Sequence, residues 1–371
     1  MSWTSWAAAE CQTLRGQGRW RELRVLDAAG VVGTLGDGAE VVSFASNDYL
    51  GLSSHPAVVD AAVRALGRWG AGAGASRLVT GSRPVHALLE EQLAEWKHAE
   101  RALVFPTGFA ANLGVLGALG GPGVRVFSDE FNHASIVDGC RLSRAETVVY
   151  PHGDVGRLRE LLRWRGRTIV VSDTVFSMDG DMAPVVDLVG LCAERGALLV
   201  LDDAHVVLGP EFETDGAEVL RVGTLSKALG SLGGFVAGPA ALIEVLVNRA
   251  RPFIFSTAPA PAAMAAAAAA LEVVRGPEGD MLRGRLRANV DRVRPGHPSP
   301  IVPVVLGGEA EALAASQRLL AKGLLVPAIR PPTVPAGTSR LRVTLSAAHT
   351  DAQVGALVDA LSELGAVGAA A

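Results

Sequence analysis

Cysteine is scarce in this chain of 371 residues, which holds three: Cys11, Cys140 and Cys192. They are widely spaced and odd in number, whereas disulfide frameworks use cysteine pairs and zinc sites use closely spaced ligands. Two histidines considered below, His133 and His205, also lack a third ligand at the usual zinc spacing. The sequence therefore predicts neither a disulfide framework nor a metal site.

An excess of charge of one sign is also missing. The 34 lysines and arginines nearly balance the 38 aspartates and glutamates, the formal net charge is −4, and there is no basic block. Proteins that bind nucleic acids concentrate positive charge on one face or segment. Nucleic acid is therefore not an expected partner.

Long hydrophobic runs are absent. The longest weakly polar stretch, residues 260–274, is mostly alanine and is interrupted by Pro261 and Glu272. It is shorter than the roughly 20 residues that a membrane helix needs. Residues 1–20 do not show the basic start and apolar core of a secretory signal. We therefore expect a cytoplasmic protein that has no membrane partner.

The residues that are abundant favour a large packed core. Hydrophobic residues make up 49% of the chain, charged residues make up 19%, and there are 43 glycines. A chain of this length and composition suits one large domain with a smaller one. We expect an N-terminal arm over residues 1–45, helical to about residue 28, a large domain over 46–275 and a small C-terminal α/β domain over 276–371.

The middle of the chain alternates short apolar runs with helical stretches. Strands are predicted at residues 102–105, 124–127, 147–150, 168–172, 197–202, 219–224 and 234–238. Helices are predicted between most of them, at residues 109–119, 134–143, 155–164 and 188–195. This alternation predicts an α/β fold whose mostly parallel sheet is covered on both faces.

Lys227 and Asp202 are the most informative residues. Asp202 ends an apolar, strand-like run, and Lys227 follows the run that ends at Thr224. Ligands bind beyond the carboxyl ends of parallel strands, where both residues are expected. Pyridoxal phosphate needs an amine that holds its aldehyde as a Schiff base and a carboxylate that keeps its ring nitrogen protonated. Asp203 is a rival for the carboxylate role, but side chains alternate along a strand, so only one of the two faces the ring.

A phosphate site is predicted where Gly108 and Phe109 begin a helix directly after a strand. Backbone N–H groups at a helix N-terminus bind phosphate. No Gly-Lys-Ser/Thr sequence follows, and the glycines near residue 72 miss the GxGxxG spacing. These absences argue against a non-covalent nucleotide-binding protein.

Seven segments, in this order and spacing, resemble the α-oxoamine synthases. They are Ser46-Asn-Asp-Tyr-Leu-Gly51, Thr107-Gly-Phe-Ala-Ala-Asn112, Asn132-His-Ala-Ser135, Val175-Phe-Ser-Met-Asp-Gly-Asp181, Asp202-Asp-Ala-His205, Thr224-Leu-Ser-Lys227 and Arg330-Pro-Pro-Thr-Val-Pro-Ala-Gly337. The resemblance covers residues 21 to 350. It implies a fold-type-I pyridoxal-phosphate transferase, with a seven-stranded sheet in the large domain, that condenses an amino acid with an acyl-CoA.

The resemblance also implies roles for cofactor-binding residues. Lys227 would hold the cofactor and take the substrate's α-proton, Asp202 would pair with the ring nitrogen, and His133 would stack on the ring. A helix-capping role after Asn132 is the alternative for His133. The remaining cofactor residues that it implies are His205 and Ser177 at the phenolic oxygen, Gly108, Phe109 and Thr224 near the phosphate, and Ser256 and Thr257 at the phosphate of a neighbouring subunit. The last pair implies a homodimer with its active site at the interface, although a simple turn explains them equally well.

Arg330 is the implied partner of the substrate carboxylate, because a guanidinium group pairs with a carboxylate through two hydrogen bonds. Asn47, Thr333 and His133 would help to place the substrate. Arg21 matches less securely, because other arginines lie nearby and a surface role explains it equally well.

Residues 328–335 most resemble the member of this family that joins L-alanine to a pimeloyl thioester, carried by CoA or by a carrier protein, in biotin biosynthesis. A sister enzyme that uses glycine and a catalytically silent paralogue remain alternatives. Two departures bear on substrate preference: the loop after His205 is shorter than usual, and Asp173 stands where relatives commonly carry glutamate.

Overall fold

The computed structural model describes residues 1–163, 166–209, 212, 214 and 216–365. Its helices are α1 (Trp3–Gly16), α2 (Pro56–Trp69), α3 (Pro84–Trp96), α4 (Gly108–Leu119), α5 (Ala134–Ser143), α6 (Val155–Leu161), α7 (Val185–Arg195), α8 (Ala240–Arg249), α9 (Arg251–Ile254), α10 (Pro261–Arg275), α11 (Pro277–Val293), α12 (Glu309–Ala321) and α13 (Asp351–Glu363). Its strands are β1 (Leu26–Ala28), β2 (Val32–Leu35), β3 (Glu40–Ser43), β4 (Arg101–Phe105), β5 (Val124–Asp129), β6 (Glu146–Tyr150), β7 (Arg167–Asp173), β8 (Leu198–Asp202), β9 (Val219–Thr224), β10 (Gly234–Gly238), β11 (Ile301–Gly307), β12 (Leu324–Leu325), β13 (Ala328–Ile329) and β14 (Ser339–Thr344).

The chain divides into two compact units. The larger unit holds Ser46–Val302 and Thr344–Val358, and the smaller holds Met1–Ala45, Pro303–Val343 and, of the described residues, 359–365. This division places residues 276–302 in the larger unit. The division into domains at residues 46 and 276 stays a prediction.

A seven-stranded sheet forms the centre of the larger unit, in the order β4-β10-β9-β8-β7-β5-β6. Strands β6, β5, β7, β8 and β9 run parallel to their neighbours, and β10 pairs antiparallel with both β9 and β4. These are the seven strands predicted from the apolar runs, and the sheet is mostly parallel as predicted. The carboxyl ends of all these strands except β10 therefore lie along one edge of the sheet.

Alternation along the central strands explains why both faces of the sheet are covered. In β7, Val171 packs in a cluster with residues of α4 and α5, such as Val115, while Val170 packs in a second cluster with residues of α6 and α7, such as Leu191. Successive side chains of a strand point to opposite faces, so an uninterrupted apolar strand requires helices on both sides. The prediction of a sheet covered on both faces is confirmed.

The smaller unit is built around two short sheets, β1-β2-β3-β12 and β11-β14-β13. A cis peptide bond joins Pro331 to Pro332 after β13.

The helical arm predicted to about residue 28 was wrong beyond residue 16. Helix α1 ends at Gly16, and residues 26–28 form β1, which pairs with β2. Gly18 adopts a φ of +67°, which interrupts a helix and which residues with a Cβ atom rarely adopt. The helix predicted over 155–164 is observed as Val155–Leu161, and its predicted end at Trp164 lies outside the described residues.

Within the described ranges, no helix is both long and apolar enough to cross a membrane.

Candidate active site

Acidic and hydroxyl side chains meet at the carboxyl edge of the seven-stranded sheet. In the strand register Asp173, at the end of β7, lies beside Asp202, at the end of β8. Strand β9 ends next to them at Thr224, and Lys227 follows three residues later. The sheet therefore brings Lys227 and Asp202 to one edge, as the sequence predicted.

A tight turn presents Lys227. The Gly230 N–H donates to the carbonyl oxygen of Lys227, and Gly230 has a φ of +58°. A Cβ atom on Gly230 would lie 2.3 Å from the backbone nitrogen of Ser53. Glycine is required here both by the backbone conformation and by the close approach of a second segment.

The amine of Lys227 lies at the end of a buried hydrogen-bond chain. Its Nζ is 2.8 Å from Nε2 of His205, and Nδ1 of His205 is 2.7 Å from the hydroxyl of Tyr49. The Tyr49 hydroxyl donates to Oδ1 of Asn47 over 3.1 Å, so it is left to accept from His205. His205 then donates through Nδ1 and accepts from Lys227 through Nε2. Asn47 and His205, both predicted site residues, are thus connected to Lys227.

The neighbours Asp202 and Asp203 face different surroundings. Asp202 accepts hydrogen bonds from Asn112 Nδ2 at 2.6 Å and from the Ala204 N–H at 2.9 Å. Asp203 instead contacts two cations, with its Oδ2 3.3 Å from Nζ of Lys97 and 3.0 Å from Nη1 of Arg221. Burial acts to raise the pKa of Asp203, but the two positive charges outweigh it and hold this pKa below its usual value.

His133 is the N-cap of α5. Its Nδ1 accepts the N–H of Ser135 over 3.2 Å, which is the capping role considered as an alternative to ring stacking. Its backbone N–H donates to Oδ2 of Asp173 over 2.9 Å. Burial lowers the pKa of the imidazole; the charge of Asp202 opposes this shift, and that of Lys227 adds to it. Burial, reinforced by the charge of Asp202, raises the pKa of Asp173 well above its usual value.

The start of α4 lies against Thr224. Thr107 caps this helix by accepting the Ala110 N–H at 3.0 Å. A Cβ atom on Gly108 would lie 3.6 Å from Oγ1 of Thr224, which is itself 2.7 Å from Oγ of Ser226. Phe109 meets the His133 ring edge-on, with ring centroids 6.2 Å apart. Backbone N–H groups and two hydroxyls therefore surround the same small region.

This donor set fits pyridoxal phosphate. Lys227 would supply the amine, and Asp202 would supply an acceptor for a protonated ring nitrogen. Part of the surface of His133 remains accessible to solvent although its environment partly desolvates the imidazole, so a face of the ring is open for stacking. The start of α4, Thr224 and Ser226 suit a phosphate, because N–H groups at a helix N-terminus and neighbouring hydroxyls donate to its oxygens. Among the described residues, no group of His, Cys, Asp and Glu side chains could hold a metal ion.

The remaining predicted cofactor residues lie on two other segments. Ser177 is in the turn closed by the bridge between Val175 and Met182. Ser256 and Thr257 lie where Thr257 pairs with Ser76 in an isolated antiparallel bridge. Their predicted contact with a neighbouring subunit stays a prediction.

Three of the predicted substrate residues lie together in the smaller unit. Arg21, Arg330 and Thr333 line a small cavity of about 160 Å³, together with Arg19. Nη2 of Arg21 donates to Oγ1 of Thr333 over 3.4 Å, and Arg330 donates to the carbonyl oxygen of Gly18. Positive charge concentrated around one cavity suits a carboxylate.

The loop after His205, which is shorter than usual in the family that the sequence resembles, lines a cavity. Val206, Val207 and Gly209 line a cavity of about 880 Å³ within the larger unit, together with Lys97 and Arg221. The short loop therefore forms one wall of an open space immediately after His205.

Sequence reasoning assigned no role to four residues that complete these networks: Tyr49, Asn112, Ser135 and Ser226. All four lie inside the segments Ser46–Gly51, Thr107–Asn112, Asn132–Ser135 and Thr224–Lys227. The available signal was their presence in those segments, but nothing in the order of residues shows which polar side chains meet.

Residues 39–361 match the model of the family described as aminotransferase class I and II. The 8-amino-7-oxononanoate synthase of Geobacter sulfurreducens is 48% identical over 96% of this chain and 97% of its own length.

Solved structures show the same fold. A serine palmitoyltransferase from S. paucimobilis with a bound PLP–myriocin aldimine superposes with a TM-score of 0.89 at 31% identity, covering 97% of each chain. The 8-amino-7-oxononanoate synthase of Francisella tularensis gives a TM-score of 0.74 at 26% identity, covering 87% of this chain and 97% of its own. The fold is that of fold-type-I transferases, as predicted.

Proposed function

The chain belongs to the 8-amino-7-oxononanoate synthases of the class I and II aminotransferase family, and from this premise we propose the reaction that it catalyses. L-Alanine condenses with a pimeloyl thioester, with loss of CO2 and of the free thiol, to give 8-amino-7-oxononanoate for biotin biosynthesis. The observation that carries the proposal is the Lys227 amine, 2.8 Å from His205, at the same sheet edge as Asp202.

The cofactor is pyridoxal phosphate. When bound, it supplies an aldehyde that captures an amine and a protonated ring that draws electrons from the substrate's Cα. Asp202 would accept a hydrogen bond from the ring nitrogen, and the start of α4 would bind the phosphate with the Thr224 hydroxyl. His133 would stack on the ring, and His205 and Ser177 would lie at the phenolic oxygen.

Lys227 moves the protons of the reaction. Its Nζ yields its place to the amine of L-alanine, takes the proton from Cα, and later returns a proton to the product carbon. His205, whose Nε2 accepts from Nζ, orients the amine for these transfers. Tyr49 holds His205 through Nδ1, so the orientation of the base depends on a buried residue that does not itself transfer a proton.

Arginine side chains are the proposed partners of the substrate carboxylate. Arg330 pairs with the carboxylate of L-alanine through its two-pronged guanidinium, and Thr333 and Asn47 help to place the substrate. Arg21 is the second cation of this set. The arginine-lined cavity at Arg21 and Arg330 supports this assignment.

A homodimer is the proposed assembly, in which Ser256 and Thr257 of one subunit reach the phosphate bound by the other. The cytoplasm is the proposed location.

The test is product formation by the purified, cofactor-loaded protein. With L-alanine and pimeloyl-CoA we expect 8-amino-7-oxononanoate by mass spectrometry, one CO2 per product, and little product when glycine replaces alanine. Preference for glycine would assign the chain to a sister synthase. If neither amino acid is turned over with the CoA or the carrier-protein thioester, the proposed activity is wrong.

A further inference from the structure

A second buried hydrogen-bond chain runs from Asp202 to His133. Asn112 Nδ2 lies 2.6 Å from Oδ2 of Asp202 and 2.9 Å from Oγ of Ser135, and this Oγ lies 2.7 Å from Nδ1 of His133. The two middle residues, Asn112 and Ser135, are fully buried. The chain therefore links the end of β8, the body of α4 and the first turn of α5.

The direction of donation at the Asp202 end follows from chemistry. A carboxylate oxygen accepts, so the amide of Asn112 must turn its nitrogen toward Asp202. The second N–H of that nitrogen then donates to Ser135. Oδ1 of Asn112 is buried and has no hydrogen-bond partner among the described residues. An unpaired buried carbonyl is costly, yet flipping the amide would set two acceptor oxygens against each other.

The backbone fixes the direction at the His133 end. The N–H of Ser135 points at Nδ1 of His133, and a backbone N–H can only donate. Nδ1 therefore carries a lone pair, and the Ser135 hydroxyl must donate to it as well. In a neutral imidazole the single ring proton then lies on Nε2.

We propose that Asn112 and Ser135 are positioning residues for the synthase reaction: their relay orients Asp202 and holds His133 neutral, with its ring proton on Nε2. The inference rests on the proposed function. A neutral Nε2–H donates to a carboxylate or carbonyl oxygen of the substrate without adding a second cation near Lys227. Burial of the imidazole, which lowers the pKa of His133, acts in the same direction.

The protonation of His133 can be read without turnover. Ring-nitrogen NMR of the cofactor-loaded protein, labelled with ¹⁵N-histidine and assigned with His133→Gln, should show a protonated Nε2 and an unprotonated Nδ1 at neutral pH. A proton on Nδ1, or a charged His133 at neutral pH, would overturn the proposal.

Two variants test the relay itself. Ser135→Ala removes the hydroxyl that stabilises the neutral form, so the protonation constant of His133 should rise roughly tenfold, and the acid limb of the kcat profile should move up by about one pH unit. Ser135→Thr retains the hydroxyl and should restore both values. Ser143→Ala removes another buried hydroxyl of α5, one that bonds to the Cys140 carbonyl, and should change neither.

A double-mutant cycle separates the relay from local packing. Asn112→Ala should raise the protonation constant of His133 in the otherwise unchanged protein but add little in the Ser135→Ala background, because it acts through Ser135. Additive effects of the two substitutions on the protonation constant of His133 would overturn the proposal. An unchanged protonation constant in Ser135→Ala alone would also overturn it. If Ser135→Ala does not fold, Asn112→Ala and Ser135→Thr carry the test.

The two claims fail differently. A protein with the predicted His133 tautomer but no product from L-alanine and the thioester would support the relay and contradict the proposed function. A protein that makes the product while His133 carries its proton on Nδ1 would support the proposed function and contradict the relay.

Discussion

At the scale of single residues, Asp202 and Asp203 show how one strand end serves two purposes. Asp202 belongs to the site network, whereas Asp203 accepts from Thr174 and compensates the charges of Lys97 and Arg221. The two carboxylates therefore have different partners although they are adjacent in the chain. Asp202 is therefore available for catalysis, and Asp203 stabilises the fold.

Asp203→Asn tests this separation. The substitution leaves two half-buried cations without their carboxylate, so the free energy of unfolding should fall by about 3–5 kcal/mol. Asp202→Asn is the matched control: it should lower kcat while the free energy of unfolding changes by about 1 kcal/mol. Urea unfolding and steady-state kinetics measure both, and equal stability losses for the two variants would contradict the separation.

At the scale of elements, His152 clamps the end of β5 to the turn that carries Ser177. Its Nδ1 is 3.0 Å from Asp129 and its Nε2 is 2.8 Å from Asp181, while its ring stacks on Phe131. Hydrogen bonds to these two carboxylates raise the pKa of His152 to about 10. The clamp therefore joins two segments that hold predicted cofactor residues, His133 and Ser177.

The raised pKa of His152 makes stability depend on pH in alkaline solution. Because the folded protein binds this proton more tightly than the unfolded chain, the stabilisation is complete below about pH 6.5 and is lost as pH rises toward about 10. The melting temperature should fall over this range in the unmodified protein and fall less in His152→Gln. Parallel curves for the two proteins would show that His152 does not carry the effect.

The contact between β10 and the start of α4 depends on Gly234. A Cβ atom there would lie 2.4 Å from the backbone nitrogen of Gly108. Gly234→Ala should displace the predicted phosphate-binding turn, destabilise the fold by about 1–3 kcal/mol, and weaken cofactor binding.

Gly117→Ala provides the control for this prediction. Gly117 lies in α4, the helix that Gly234 contacts at its start, and a Cβ atom on Gly117 would meet nothing within 4 Å. Alanine should stabilise the helix by about 0.5–1 kcal/mol without changing cofactor affinity. Equal cofactor affinity in Gly234→Ala and the unmodified protein would contradict the role given to this contact.

At the scale of the whole molecule, the proposed homodimer makes each active site depend on two subunits. Sedimentation of the cofactor-loaded protein should give twice the chain mass of 38.3 kDa. Changing Ser256 and Thr257 together to alanine should weaken cofactor binding while the protein stays dimeric. A monomer with full activity would contradict both the assembly and the roles of the two residues.

The sequence predicted the sheet well because its strands are fully buried. Uninterrupted apolar runs, separated by helices, mark the seven strands, and Lys227 and Asp202 follow strand ends where parallel sheets bind ligands. The chemistry of these residues therefore indicates the cofactor from the sequence alone.

Other features depend on contacts that the order of residues does not reveal. The pairing of β1 with β2 replaced the predicted continuation of the N-terminal helix. Asn112, Ser135 and His152 act through partners 23 to 90 residues away in the chain. Their roles arise only when the sheet edge brings those partners together.

The visible absorbance of the cofactor-loaded protein tests the central claim most directly. Pyridoxal phosphate held by Lys227 should give a band that shifts on addition of L-alanine, with turnover once pimeloyl-CoA is present. In Lys227→Ala that band should be absent and kcat should fall at least about 10³-fold, whereas Lys322→Ala, which removes an exposed lysine, should behave as the unmodified protein. A Lys227→Ala protein that retains the lysine-bound band or full turnover would contradict the account.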